Sequence, residues 1–254
     1  MAPGSLVNRL HPRALRFAWQ RLRLASSGIT ESRGPRLTCF GGWCADLTAL
    51  NRGSVVYSFG LGTDIAWELE MIRRIGAEVQ AFDPTPRSRA WLEAQPLPRE
   101  FRFHPVGISN RDGEIVLHPP RRANNPHFSQ DRDSGSKVSP EAVSCPVSRL
   151  GSIAKRLGHR RIDVLKLDVE GSEFDCVPDL LGSGIEVGQL LLEVHYRNPG
   201  RSIQDGIKLL RSILDAGFAC AHISGRALEF TFVHPSFVAA SRQGESCRCS
   251  RTLQ

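Results

Sequence analysis

Five short apolar runs separated by helical patterns constrain the fold of this chain more than any other feature. They are Ser54 to Phe59, Glu78 to Phe82, Phe101 to Val106, Ile162 to Val169 and Gly188 to Val194. Each is short and holds β-branched or aromatic residues, as buried strands do. After the first, Gly60-Leu-Gly62 breaks the run and Asp64 opens a helix as its N-cap. That helix has Ile65, Leu69, Ile72 and Ile75 on one face and Gly76 at its end. Further helices are expected over Arg87 to Ala94, Leu150 to Leu157, the segment after Ser172, and Ile203 to Ala216. Alternating strands and helices build βαβ units around a mostly parallel sheet, and right-handed crossovers fix most of its topology. Phe218 to Ile223 and Leu228 to Val233 read as a closing antiparallel pair.

The rest of the chain is less regular. Gly107 to His118 reads as a hairpin around Asn110-Arg-Asp-Gly113. Residues 119–141 form a long polar loop, expected to be a solvated lid, in which Asn124, Asn125, His127 and Ser129 are available to an acceptor. The expected organisation is a basic arm over 1–36, one domain over 37–241 and a polar tail over 242–254. A chain of 254 residues with 41% hydrophobic content can bury one sizeable core. No apolar stretch approaches the roughly 20 residues that span a bilayer.

Net charge is +7, but its distribution argues against nucleic acid. Residues 1–36 hold seven Arg against Glu31, and the remainder has 26 basic and 25 acidic residues. A nucleic-acid-binding domain is expected to have a basic face of its own. In the arm, Arg9, Arg13, Arg16 and Arg23 fall at helical spacing, with Leu6, Leu10, Phe17 and Leu24 toward the other side. A helix resting on the domain or a membrane surface, a transit-like peptide, and a loosely packed arm all fit; the last is preferred, with a cytoplasmic location. Seven cysteines without a C-x-x-C pair suit a reducing compartment, whereas a Cys39–Cys44 disulfide would go with export.

In open α/β sheets ligands bind beyond the carboxyl ends of the strands. Gly60, Gly62, Asp83, Asp168, Glu170 and His195 all follow expected strands. Gly60-x-Gly62 lets the backbone approach a ligand in front of a helix amino end. Asp83, at the next strand end, can accept hydrogen bonds from ribose hydroxyls. This pair fits a dinucleotide or S-adenosylmethionine (SAM). A dinucleotide site expects a third glycine, where Ile65 stands, and no Gly-Lys-Ser/Thr phosphate loop occurs. Among the acids, Glu173 and Asp175 read as first-turn residues favoured by the helix dipole. Glu193 is expected to pair with Lys166. No metal is expected, although Asp168 with Glu170 would suit Mg²⁺.

Five segments together resemble the FkbM family of SAM-dependent methyltransferases. They are Val56-Tyr-Ser-Phe-Gly-Leu-Gly62, Ala81-Phe-Asp-Pro84, His104-Pro-Val-Gly-Ile108, Ile162 to Gly171 and Leu192-Glu-Val-His195. The resemblance runs from about Val55 to Val233. It implies an α/β, Rossmann-like class I methyltransferase fold: a mostly parallel seven-stranded sheet, helices on both faces and an antiparallel last strand. It also implies methyl transfer from SAM to a hydroxyl of a sugar, glycan or secondary metabolite. Gly60 and Gly62 would line the methionine part, Asp83 the ribose, and Val106 and Gly107 the adenine. Asp168 and Glu170 would sit by the sulfonium and acceptor, with His195 as the base. The chain departs from the family at Ser58, where an acid is common, and Asp64 is the expected replacement carboxylate. N-methylation of a small amine and a non-catalytic SAM-binding scaffold are the alternatives.

Overall fold

The computed structural model describes residues 12–32, 34–118, 142–196, 198 and 200–237. The residues expected in the 119–141 lid, in the 242–254 tail and at the start of the arm lie outside this set.

Seven strands form the central sheet: β3 (Val56–Phe59), β4 (Val79–Phe82), β5 (Phe101–His104), β9 (Arg161–Leu167), β10 (Glu186–Glu193), β11 (Ala219–Ile223) and β12 (Glu229–Val233). Their order is β11-β12-β10-β9-β3-β4-β5. The pairs β3–β4, β4–β5, β3–β9 and β9–β10 are parallel, and β12 runs antiparallel to β10 and β11. The chain builds outward from β3 to β5, then returns to the other side of β3 with β9. The switch point therefore lies between β3 and β9, where the loops diverge and leave a crevice.

Alternation along these strands sorts side chains into two cores. Tyr57, Phe59, Leu165, Leu167, Leu190 and Leu192 face one of them, packed with α4 (Leu150–Leu157), α5 (Glu173–Leu181) and α6 (Ile203–Asp215). Val56, Val164 and Leu191 face the other, packed with α2 (Ala66–Ile75) and α3 (Pro86–Glu93). The helix termini follow local rules. Thr85 caps α3 by accepting the Ser88 N–H at 3.3 Å, and Ser202 and Asp205 form a capping box on α6.

Helix α2 differs from its expected form. It begins at Ala66, so Asp64 lies outside the cap position and accepts the Ala66 N–H at 2.9 Å. Its buried face is Trp67, Glu68, Met71 and Ile72, while Leu69 is exposed. The helix is turned so that a tryptophan and a carboxylate, rather than Leu69, meet the sheet.

Two small sheets were not legible in the sequence. The Gly107 to His118 segment is not a simple hairpin: β8 (Val143–Ser148) inserts between β6 (Gly107–Ile108) and β7 (Gly113–Leu117). Nearer the amino end, β1 (Leu37–Phe40) and β2 (Trp43–Asp46) form a hairpin closed by Gly41-Gly42, with positive φ at both glycines. Cys39 and Cys44, paired across it, are disulfide-bonded, the pairing that the sequence left open as an alternative to free thiols; Cys145, Cys176 and Cys220 are free and buried. The hairpin seals the second core. Gln189 exchanges hydrogen bonds with the Asp46 backbone at 2.8 and 2.7 Å, and the Thr231 hydroxyl donates to Cys44 O at 2.6 Å.

The basic arm is not loosely packed where it is described. Helix α1 (Pro12–Ser26) buries Leu24, and its Arg21 donates to the carbonyls of Ile223 and Ser224 at 2.9 and 2.7 Å. Glu31 accepts the Ile223 N–H at 2.7 Å. The helix thus docks beside the β11 end of the sheet and leaves Leu15, Trp19 and Leu22 exposed. No helix among the described residues is long and apolar enough to cross a membrane.

Candidate active site

The loops after β3, β4 and β9 enclose a cavity of about 250 Å³. Gly60, Gly62, Asp64, Asp83, Gly107, Asp168 and Glu170 all line it. Residues far apart in sequence meet there because parallel strands deliver their carboxyl ends to one edge of the sheet.

Gly60 is the tightest point. It has φ 80°, and a Cβ on it would lie 1.6 Å from the Asp168 carbonyl oxygen. Only glycine lets the ends of β3 and β9 close in this way. Asp83 is buried and ties β4 to the same turn. Its Oδ2 accepts the Leu61 and Gly62 N–H groups at 3.0 Å each, and its Oδ1 accepts the Thr85 N–H at 2.9 Å and the Thr85 hydroxyl at 2.6 Å. A carboxylate offers about four acceptor positions, so a ribose hydroxyl reaching Asp83 would take the place of the Thr85 hydroxyl. Gly107 sits against Pro84, with 2.9 Å between its hypothetical Cβ and Pro84 Cγ. Val106 packs toward the first core and is not among the cavity-lining residues. Ile108, Ile115, Leu117 and Val147 supply an apolar wall from the small sheet.

At the β9 and β10 ends, four carboxylates gather around one imidazole. Glu170 has φ 49°, an uncommon conformation for a residue with a side chain, and Gly171 follows at φ 105°. The Asn198 amide clamps this turn by donating to Glu170 O at 2.8 Å. Glu173, expected only to favour a helix dipole, is fully buried and does more. It accepts the Gly171 N–H at 2.7 Å, the His195 N–H at 2.7 Å, and stands 3.2 Å from His195 Nδ1. Asp175 is the surface acid of the pair, 3.7 Å from Arg201. His195 Nε2 lies 3.4 Å from Glu170 and 3.9 Å from Asp168. Burial alone would lower the His195 pKa, but hydrogen bonds and charge from Glu170 and Glu173 outweigh it and raise the value to about 11. The ring therefore holds its proton at neutral pH and is arranged to donate.

The expected Glu193–Lys166 pair does not form. In the β9–β10 register Lys166 lies opposite Leu191, so Glu193 falls two residues further on, beside Asp168. Burial and the Asp168 charge raise the Glu193 carboxyl to about 7. Lys166 instead pairs with Glu68 at 3.2 Å on the α2 side. Sequence reasoning missed Glu193 as a site residue; its signal was a carboxylate two positions before a strand-end histidine. Asp168, Glu193 and His195 offer ligand atoms within 4.8 Å of one another, so these three could hold a divalent cation in place of the imidazole proton.

Comparison with known proteins supplies the class: residues 54–220 match the model described as the methyltransferase FkbM domain, about two-thirds of the chain. This chain belongs to the FkbM methyltransferase family. It is 33% identical over 153 residues to the human "Probable methyltransferase-like protein 24", covering 59% of this chain and 35% of that protein. It is 28% identical over 155 residues to "2-O-methyltransferase NoeI" of Sinorhizobium fredii, covering 55% of this chain and 60% of that one. The chain thus spans about a third of the human relative's length.

Proposed function

We propose that this chain is a SAM-dependent O-methyltransferase acting on a hydroxyl of a sugar, glycan or secondary metabolite. The observation that supports it most is the meeting of the Gly60–Gly62 turn, Asp83 and the Asp168–Glu170 strand end around one cavity at the switch point. Hydroxyl transfer is favoured by the likeness to a protein named a 2-O-methyltransferase.

In this reading the Gly60–Gly62 turn and Asp83 take the methionine and ribose, and Gly107 and Ile108 flank the adenine. Bound SAM would supply an electrophilic methyl group and leave as a neutral thioether. Asp168 and Glu170 set negative charge beside the sulfonium. Positioning accounts for most of such a rate enhancement, and a base takes the acceptor proton. Because His195 already holds a proton, we assign acceptance to Glu193, whose carboxyl titrates near neutrality. His195 orients the acceptor oxygen and balances the surrounding carboxylates.

Isothermal calorimetry with SAM, S-adenosylhomocysteine and NAD tests the cofactor. SAM and its product should bind and NAD should not; NAD binding without SAM binding overturns the proposal. Transfer of labelled methyl from SAM to a panel of glycosides and small amines then tests acceptor class.

The charge of the site gives a pH prediction. Glu193 is neutral below pH 7 and anionic above it, so affinity for the cationic sulfonium should rise several-fold between pH 6 and 8. Affinity for S-adenosylhomocysteine, which lacks the sulfonium charge, should change much less. Glu193→Gln should flatten the SAM profile. A SAM profile that is flat in the wild type removes Glu193 from the neighbourhood of the methyl.

A further inference from the structure

One arm of the cavity is lined by Gly41 and Trp43 of the β1–β2 hairpin together with Trp67, Glu68 and Lys166. It contains the answer to the departure at Ser58. The carboxylate there is Glu68, one turn into α2, rather than Asp64, which is exposed. Glu68 Oε1 accepts the Ser58 hydroxyl at 2.5 Å and the Lys166 ammonium at 3.2 Å. Lys166 also lies over the rings of Trp43 and Trp67, at 5.2 and 5.8 Å.

Two polar atoms in this arm have no partner. Glu68 Oε2 and Trp67 Nε1 are both buried without a hydrogen bond, on side chains 1% and 2% exposed that line the cavity. Buried polar groups are nearly always paired, and an orphaned one calls for an explanation. Lys166 has three donors, and its hydrogen bonds go to Glu68 and, at 3.4 Å, to Ser58. The arm therefore presents an anionic acceptor, a neutral donor and a cation together. A ligand with only a positive end would satisfy Glu68 and leave the indole orphaned; one with only a negative end would do the reverse. A group with an ammonium and a carboxylate on neighbouring atoms satisfies all three.

We propose that this arm is a subsite for an α-amino-acid group: the ammonium donates to Glu68 Oε2, and the carboxylate accepts from Trp67 Nε1 and Lys166. Under the SAM reading above, on which it rests, that group is the methionine end of the cofactor. Glu68 then compensates for Ser58 at the position where the family commonly has an acid.

The test uses two ligands that share adenosine and a thioether sulfur. S-adenosylhomocysteine has the amino-acid end and 5′-methylthioadenosine lacks it. Calorimetry on the wild type, Glu68→Gln and Trp67→Phe is expected to give about tenfold or more loss of S-adenosylhomocysteine affinity in each variant, the scale of a lost hydrogen bond to a charged group. Affinity for 5′-methylthioadenosine should stay within about twofold of the wild type, which also reports that the variant is folded. Trp67→Phe removes the indole N–H together with part of the ring volume but leaves the charge beside Lys166 in place, so it answers the question if Glu68→Gln, which strips that charge, fails to fold. Equal losses on both ligands, or no loss on either, overturn the subsite. A wild type that binds neither ligand overturns the SAM reading instead.

Discussion

Glu173→Ala should destabilise the protein by about 3–5 kcal/mol, the usual result of stripping one partner from a buried charged network. Glu173 is fully buried and serves two backbone N–H groups and the His195 ring. Its loss leaves the Gly171 and His195 amides unpaired and frees the Glu170–Gly171 turn, so SAM affinity should fall with stability. Glu173→Gln should be milder, because its amide oxygen still accepts two of the bonds. Urea unfolding of the three proteins checks this: a lower midpoint at unchanged slope is a stability loss. A Glu173→Ala loss under about 1 kcal/mol, within the range of an ordinary substitution, would mean that Glu173 does not anchor the site.

Gly60→Ala should be at least as damaging, by about 4 kcal/mol or more, with no measurable SAM binding. The new methyl would sit inside contact distance of the Asp168 carbonyl, which is backbone and cannot swing away. The ends of β3 and β9 would have to separate, and the cavity opens between them. Gly113→Ala is the control. Gly113 also has positive φ, at 138°, but nothing lies within 4 Å of its hypothetical Cβ. It should show only the backbone cost, about 1–2 kcal/mol. If the two variants unfold at the same midpoint, the close approach of the strands is not what makes Gly60 necessary.

Much of the frame was legible because it rests on local chemistry. The apolar runs Ser54 to Phe59, Glu78 to Phe82, Ile162 to Val169 and Gly188 to Val194 correspond to the central strands β3, β4, β9 and β10, and helix α4 spans Leu150–Leu157 as expected. Strand β8 was hidden because Val-Ser-Cys-Pro-Val-Ser has weak hydrophobicity and a proline, which suits a peripheral strand. The β1–β2 hairpin was hidden for a similar reason: its strands are four residues long and its closure depends on a disulfide and on distant Gln189 and Thr231.

Sequence by itself determined the alternation of strands and helices, and with it the strand ends that carry Gly60, Asp83, Asp168 and Glu170. These depend on side-chain period and on glycine and proline punctuation, which are properties of neighbouring residues. Only the tertiary structure decided which charges meet. The register of β9 against β10 set Glu193 beside Asp168 and left Lys166 to Glu68. The rotation of α2 turned Trp67 and Glu68 inward. Burial beside Asp168 raises the Glu193 carboxyl, and hydrogen bonds and charge from Glu170 and Glu173 raise His195 against its burial, because the free energy of a buried charge depends on what surrounds it in space, not on its neighbours along the chain.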